Sequence, residues 1–245
     1  MKAGELSDDD VTRWKYQRYI KTYLGCIQAV DDGVGRMLDY LDESGLAENT
    51  VVIYSSDQGF YLGEHGWYDK RWMFEESLKM PFLIRWPGVI EPETESAALI
   101  QNIDYGPTFL DLAGAEIPAE MQGRSMVPML RNQGKPSAAW RDAIYYAYYE
   151  NAAVHAVPVH DGVRTERYKL MFFPRSREWN LFDLEEDPLE LQSVHEQASY
   201  APILAGMQKR YRDLKQFYEV YVDLLQCFAI PQINKISICF WYITI

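Results

Sequence analysis

Between residues 8 and 46 an apolar residue recurs every three or four positions: Leu24, Ile27, Val30, Val34, Leu38 and Leu41 form one stripe among charged neighbours. That period predicts a long helix with at most one break. Ser44-Gly45 ends it, because glycine takes the left-handed cap conformation without steric cost. After an Asn49-Thr50 turn, the run VVIYSS (51–56) has no polar alternation and reads as a buried strand. MPFLIRWPG (80–88) reads as a second strand, closed by Pro87-Gly88. Asp104 is placed to cap a short helix led by Pro107 and ended by Gly114. QGRSMVPML (122–130) reads as a loop entering a helical turn. Beyond Trp140 the texture changes. AIYYAYYE (143–150), DGVRTERYKLMFF (161–173) and EWNLFDLEEDP (178–188) are aromatic-rich and alternate, which predicts antiparallel strands. Residues 198–225 predict a final amphipathic helix.

The order helix, loop, apolar strand, polar loop is that of an α/β protein. Ligands in such sheets bind beyond the carboxyl ends of strands, and Asp57 stands at such an end. We place a domain boundary near residue 135, in RNQGKPS. This gives an α/β part (1–135), a small antiparallel-sheet-plus-helix part (136–226) and an apolar tail (227–245). The tail carries Pro231, Asn234 and Lys235, and its apolar runs are too short to span a bilayer as a helix. It reads as a strand-prone appendage.

Composition narrows the picture. The chain has 245 residues, 48% hydrophobic and 14% aromatic, enough for a real core. A net charge of −12 argues against nucleic acid as the main partner. It leaves room for an anionic substrate in a locally cationic pocket. Cys26, Cys227 and Cys239 have no metal-binding spacing. Cys26 falls in the helical pattern and is expected to be buried. The N-terminal segment is polar and charged, unlike a secretory signal.

SSDQGFYLGEHGWYDK (55–70) carries the chemistry. Asp57 and Gln58 offer hard oxygen donors of the kind that suit calcium or magnesium. Alone, they read more simply as a turn, with Asp57 capping it before Gly59. His65, between glycines, reads as a ligand, an orienter of a ligand or a turn residue. Lys70 is a compact point charge that could meet a sulfate or phosphate oxygen, or be simply solvated. Glu75 and Glu76 begin a short helix and could pair with Arg71 or Lys79.

Residues 46–90 (LAENTVVIYSSDQGFYLGEHGWYDKRWMFEESLKMPFLIRWPGVI), together with NIDYGPTFLDLAG, MQGRSMVPML, DGVRTERYKLMFF and WNLFDLEEDPLELQSV, resemble the second half of a type I, formylglycine-dependent sulfatase of the alkaline-phosphatase superfamily. The resemblance runs in order over about residues 15–220. It implies an incomplete alkaline-phosphatase-like, mostly parallel sheet with helices, plus a small C-terminal antiparallel sheet with a packed helix. It also implies that Asp57 and Gln58 complete a calcium site, and that Lys70 binds a sulfate oxygen. His65 would lie in the loop lining the pocket. YYENAAVHAVPVHDGVRTERYKL (148–170) is similar to sulfatases acting on 6-sulfated N-acetylglucosamine, where a histidine before the GVRT strand reaches the sugar. His160 is the candidate, with His155 second. Either could instead be satisfied between aromatic strands, and for His155 that is the simpler reading.

One departure matters. Sulfatases need a Cys/Ser-x-Pro-x-Arg motif, whose Cys or Ser becomes formylglycine, and no such motif occurs here. The early calcium-binding Asp pair and further sulfate-binding Lys and His of the family have no counterpart either. The expectation is a sulfatase portion that starts inside the family's fold, is inactive alone and is completed by a missing N-terminal half. Its substrate would be a sulfated carbohydrate, and its compartment periplasmic or extracellular as the family implies. The alternatives are a non-catalytic sulfatase-like binding module and a phosphodiesterase or phosphatase of the same superfamily.

Overall fold

The computed structural model of the chain describes residues 7–150, 156–220 and 242–244. Two compact units emerge, residues 1–52 with 85–88, and residues 53–84 with 89–245.

The first unit is built on α1, Asp8–Glu43, which runs 36 residues without a break. Ser7 and Asp10 close a capping box at its start: the Asp10 amide donates to the Ser7 hydroxyl at 3.2 Å and the Ser7 amide to the Asp10 carboxylate at 3.3 Å. Asp8, Asp9 and Asp10 place negative charge at the positive end of the helix dipole. Gly45, at φ 69°, takes the chain out of the helix. Arg85 pairs with Asp42 at 3.4 Å. No residue of α1 is fully buried, and Leu24, Ile27 and Val30 on the apolar stripe are each about half exposed. Cys26, expected to be buried, is exposed. The stripe tells which face the sequence would bury, and not what covers it.

The second unit contains the rest. β1 (Val52–Ser55) leads to a small hairpin of β2 (Tyr61–Leu62) and β3 (Tyr68–Asp69), then to the one-turn helix α2 (Glu75–Leu78) and β4 (Lys79–Arg85). β5 (Ile100–Gln101), α3 (Tyr105–Leu112) and α4 (Val127–Arg131) follow. β1, β4 and β5 share a sheet with β10 (Tyr242–Thr244), in the order β1-β4-β10-β5. β10 runs parallel to β4 and antiparallel to β5. These three residues of the tail thus form a sheet strand, whose extended backbone pairs with β4 and β5. β1 is half-buried and β4 alternates, with Met80 and Phe82 buried and Leu83 exposed. An uninterrupted apolar run suggests cover on both faces, and among the described residues only one face has it.

Asp104 was expected to cap α3 with its side chain. It does not. Its buried carboxylate accepts from the Gln101 and Arg124 amides, both at 2.8 Å, and makes a two-pronged pair with Arg141 at 2.5 and 2.6 Å. The Arg141 fork meets the carboxylate in two parallel charge-assisted bonds, a bidentate geometry that a single helix amide does not offer.

After residue 135 come β6 (Ala143–Tyr148), β7 (His160–Thr165), β8 (Tyr168–Phe173) and β9 (Glu178–Asp183), paired antiparallel in chain order. The period-2 pattern sorts their side chains onto two faces. Tyr145, Val163, Leu170 and Leu181 pack with Met207 and Tyr211 of α5 (Ala201–Phe217). Ile144, Tyr146, Met171 and Phe182 pack with Met73, Leu78 and Leu99. Asp161, buried on β7, fastens α5: it accepts from the Tyr145 and Tyr211 hydroxyls at 2.6 and 2.8 Å and pairs with Lys215 at 3.0 Å. The architecture is the expected one, mixed α/β with a small antiparallel sheet and a packed helix. No helix among the described residues is long and apolar enough to cross a membrane.

Candidate functional site

The loop after β1 is held from both ends. Ser55 Oγ donates to the Pro81 carbonyl at 2.9 Å and lies 2.7 Å from the Tyr105 hydroxyl. The Gly59 amide donates to the Ser77 carbonyl at 2.9 Å. A Cβ on Gly59 would sit 2.0 Å from the Glu76 carbonyl oxygen, so only glycine allows this approach. Between these anchors Asp57 is exposed and Gln58 half-buried. Ser56 Oγ donates to the Gln58 carbonyl at 3.0 Å and shapes the turn. Asp57 and Gln58 thus project adjacent hard oxygens from a strand end. Their donor type suits calcium, but calcium takes about six to eight oxygens. No cluster of three His, Cys, Asp or Glu side chains forms a metal site among the described residues. The pair can be part of a cage and does not complete one.

The β2–β3 hairpin, with Tyr61 opposite Asp69, returns the chain toward the end of this loop. His65 occupies its turn at φ 53°. Its ring stacks on Phe74 with centroids 4.1 Å apart, and Nε2 lies 3.4 Å from the Glu76 carboxylate. Of its three readings, the local geometry is that of a turn residue. Lys70 follows β3 and is half-buried. Both its neighbours are non-glycine residues at positive φ, Asp69 at 103° and Arg71 at 97°, and they are ion-paired to each other. Such backbone is costly and persists only where the surroundings hold it. Arg71 is held in turn, its amide donating to Ser77 Oγ at 3.2 Å and its carbonyl accepting from the Tyr146 hydroxyl at 2.6 Å.

Behind this segment lies a charge cluster that local spacing did not foretell. One of Glu75 and Glu76 could have paired with Arg71 or Lys79. Instead Glu75 reaches Arg164 at 3.2 Å and Lys169 at 2.8 Å on the antiparallel sheet, and Lys169 also meets Glu190 at 2.7 Å. The Glu75 amide donates to the Glu190 carboxylate at 2.7 Å. Burial pushes the Glu75 carboxyl up, but Lys169 and Arg164 together outweigh it and hold the pKa down to about 2. Burial dominates at Glu190, which has the Glu75 charge beside it, and its pKa rises. Glu76 faces His65.

His160 opens β7 and is completely buried. Nδ1 lies 2.8 Å from the Pro158 carbonyl, which fixes the hydrogen on that nitrogen. Nε2 is then an acceptor, and it has no hydrogen-bond partner among the described residues. The ring lies between Trp72 and Phe173, at 5.4 and 5.6 Å. Desolvation lowers its pKa to about 4, so it is neutral at physiological pH. His155 lies outside the described residues. His160 sits among aromatic rings, as the alternative reading had it; sequence reasoning missed Trp72, which stacks on it and, with Phe173, borders a cavity. The half-buried aromatics just after Lys70 and at the end of β8 were the available signal.

Comparison with known proteins follows the same lines. The family described as N-sulphoglucosamine sulphohydrolase, C-terminal, matches residues 63–217, and the sulfatase family matches residues 3–115. An N-acetylglucosamine-6-O-sulfatase of Bacteroides thetaiotaomicron is 44% identical over 220 residues, covering 86% of this chain and 39% of that protein. The human N-acetylglucosamine-6-sulfatase is 38% identical over 122 residues, covering 49% of this chain and 22% of the human protein. A solved structure of a protein in complex with its substrate D-glucosamine-2-N,6-O-disulfate superposes with a TM-score of 0.87 and 42% identity, covering 90% of this chain and 45% of that one. The chain thus spans less than half the length of these relatives.

Proposed function

This chain belongs to the sulfatase family, and we propose that it forms the C-terminal part of an enzyme that hydrolyses a sulfate ester on glucosamine. The observation that carries the reading is Lys70, set between two positive-φ residues at the end of the hairpin that follows the anchored Asp57–Gln58 loop. A lysine there supplies a compact point charge, and sulfuryl transfer resembles phosphoryl transfer in depending on positioning and charge neutralisation. In this reading the Lys70 ammonium binds a sulfate oxygen. Asp57 and Gln58 donate oxygens to a calcium ion, which when bound would neutralise further charge on the sulfate. Neutral His160 offers its Nε2 as an acceptor for a sugar hydroxyl. The 245 residues hold no Cys/Ser-x-Pro-x-Arg motif, so the formylglycine nucleophile and the remaining ligands belong to the portion of the relatives that this chain does not match.

The test is complementation. The unmatched N-terminal portion of the Bacteroides relative is co-expressed with this chain, and release of sulfate from N-acetylglucosamine-6-sulfate is measured. Turnover that needs both parts, and that falls about 10²–10³-fold in Lys70→Ala, is the expected result. A folded complex indifferent to Lys70→Ala would refute the assignment.

A further inference from the structure

Along α1, Ile20, Leu24, Ile27, Val30, Val34 and Leu38 recur at three- and four-residue spacing and so share one face of the helix. No residue of the helix is fully buried, and Leu24, Ile27 and Val30 at the middle of the stripe are about half exposed. A contiguous apolar stripe open to water marks an interaction surface.

The charges of α1 say what the surface fits. Residues 11–24 carry Arg13, Lys15, Arg18 and Lys21 and no acidic residue. Residues 28–43 carry Asp31, Asp32, Asp39, Asp42 and Glu43 and a single basic residue, Arg36. Beyond the Asp8–Asp10 cap this order opposes the helix dipole, which favours cations near the C-terminal end, and the last turn has none. The order therefore does not serve the isolated helix. At 3.6 residues per turn, Arg13, Lys21, Asp31 and Asp39 fall on the same flank of the apolar stripe. None of these four makes an ion pair among the described residues.

Such a helix complements itself when two copies lie antiparallel. With a two-fold axis at Ile27, Ile20 of one copy meets Val34 of the other, and Leu24 meets Val30. A two-fold axis brings equivalent flanks together. Arg13 and Lys21 of one copy then lie alongside Asp39 and Asp31 of the other. Asp8, Asp9 and Asp10 fall past Glu43 of the second copy, so the acidic ends do not oppose each other. A parallel pair would set basic half against basic half, and charges flanking an apolar seam are what choose partner and orientation. We propose that the α1 stripe is an interface between two copies of this chain, packed antiparallel about Ile27. A covering segment of another sequence would need the matching charge order, which a second copy carries already.

The test is sedimentation of the full chain under reducing conditions. Expected is a monomer–dimer equilibrium with a Kd of about 1–100 µM. Ile27→Glu sets two carboxylates at the axis and should weaken the dimer at least tenfold, while the helical circular dichroism of this exposed position's variant stays that of the parent. Arg13→Glu with Lys21→Glu, and separately Asp31→Lys with Asp39→Lys, should each give a folded monomer, since each sets like charges across the axis. Their equimolar mixture should dimerise. A chain that is monomeric throughout this range overturns the inference. So does a dimer that survives Ile27→Glu, or a mixture of the two folded charge variants that stays monomeric. The competing occupant is a polypeptide like the unmatched N-terminal portion of the Bacteroides relative. If the chain is monomeric and binds that portion in a manner lost in Ile27→Glu, the face belongs to that portion and the inference fails. Mass is the readout and no turnover is needed, so failure of complementation bears on the catalytic reading alone.

Discussion

Lys169→Met should be among the most damaging single substitutions in this chain. The Lys169 ammonium is fully buried and lies between two carboxylates, 2.8 Å from Glu75 and 2.7 Å from Glu190. Methionine keeps most of the stem's volume, so the change removes charge and creates little cavity. What remains is buried Glu190 without its cation, beside a partly buried Glu75 that keeps Arg164 at 3.2 Å. Breaking a buried ion pair from one side costs about 3–5 kcal/mol. In a chain of this size 1 kcal/mol moves Tm by about 2–4 °C, so the loss should be on the order of 10 °C. Lys209→Met is the control, because Lys209 pairs with Asp213 at 2.7 Å on the exposed face of α5. It should change stability by about 0.5 kcal/mol or less. The pH dependence gives a second check. The folded pKa of Glu75, about 2, lies below its ordinary 4.5. The unfolded chain therefore binds the proton first, and the stability contributed by Glu75 is present above pH 4.5 and lost as pH falls toward 2. By the shift, that contribution is about 3 kcal/mol, and it should shrink in Lys169→Met. Scanning calorimetry and urea titration measure both effects. A Lys169→Met melt indistinguishable from that of Lys209→Met would refute the reasoning.

Gly59→Ala should destabilise the loop that carries Asp57 and Gln58, since its Cβ would meet the Glu76 carbonyl at 2.0 Å. A loss of about 1–3 kcal/mol by denaturant titration is expected, and an unchanged midpoint would show that the loop can move away. His160 has a folded pKa near 4, below the ordinary 6.5, so the unfolded chain protonates first and stability falls as pH drops from 6.5 to 4. His160→Phe should flatten the stability curve across that window, and an unaltered slope would place the titration elsewhere. Asp104→Asn should cost about 3–5 kcal/mol, because it leaves the buried Arg141 without its counter-charge. Loss comparable to that of an exposed pair would contradict the burial. The isolated chain should not turn over an aryl sulfate with calcium present, and turnover at an ordinary enzymatic rate, about 1–10³ per second, would mean that a nucleophile had been overlooked.

What the chain alone determined was whatever depends on near neighbours. The cap of α1 needs only Ser7 and Asp10, three residues apart, so it can be read directly. The texture of AIYYAYYE and DGVRTERYKLMFF marked antiparallel strands, though the second stretch, read as one, is two strands, β7 and β8, with a bend at Glu166-Arg167 between them. The resemblance of the Asp57–Lys70 stretch, also local, marked the candidate site. The tertiary structure decided partners and cover. Glu75 could have found Arg71 or Lys79 in its own neighbourhood, yet it meets Lys169 and, through its amide, Glu190, 115 residues away, because the packed sheet brings a stronger field than the nearest turn. Asp104 was placed for capping by its position and was taken by Arg141 for the same reason. The stripe on α1 and the apolar run at β1 state a demand for burial that only a packed neighbour can meet, which is why neither is fully buried here. The Trp72–His160 layer is likewise a product of packing, since no spacing along the chain brings residues 72, 160 and 173 to one wall.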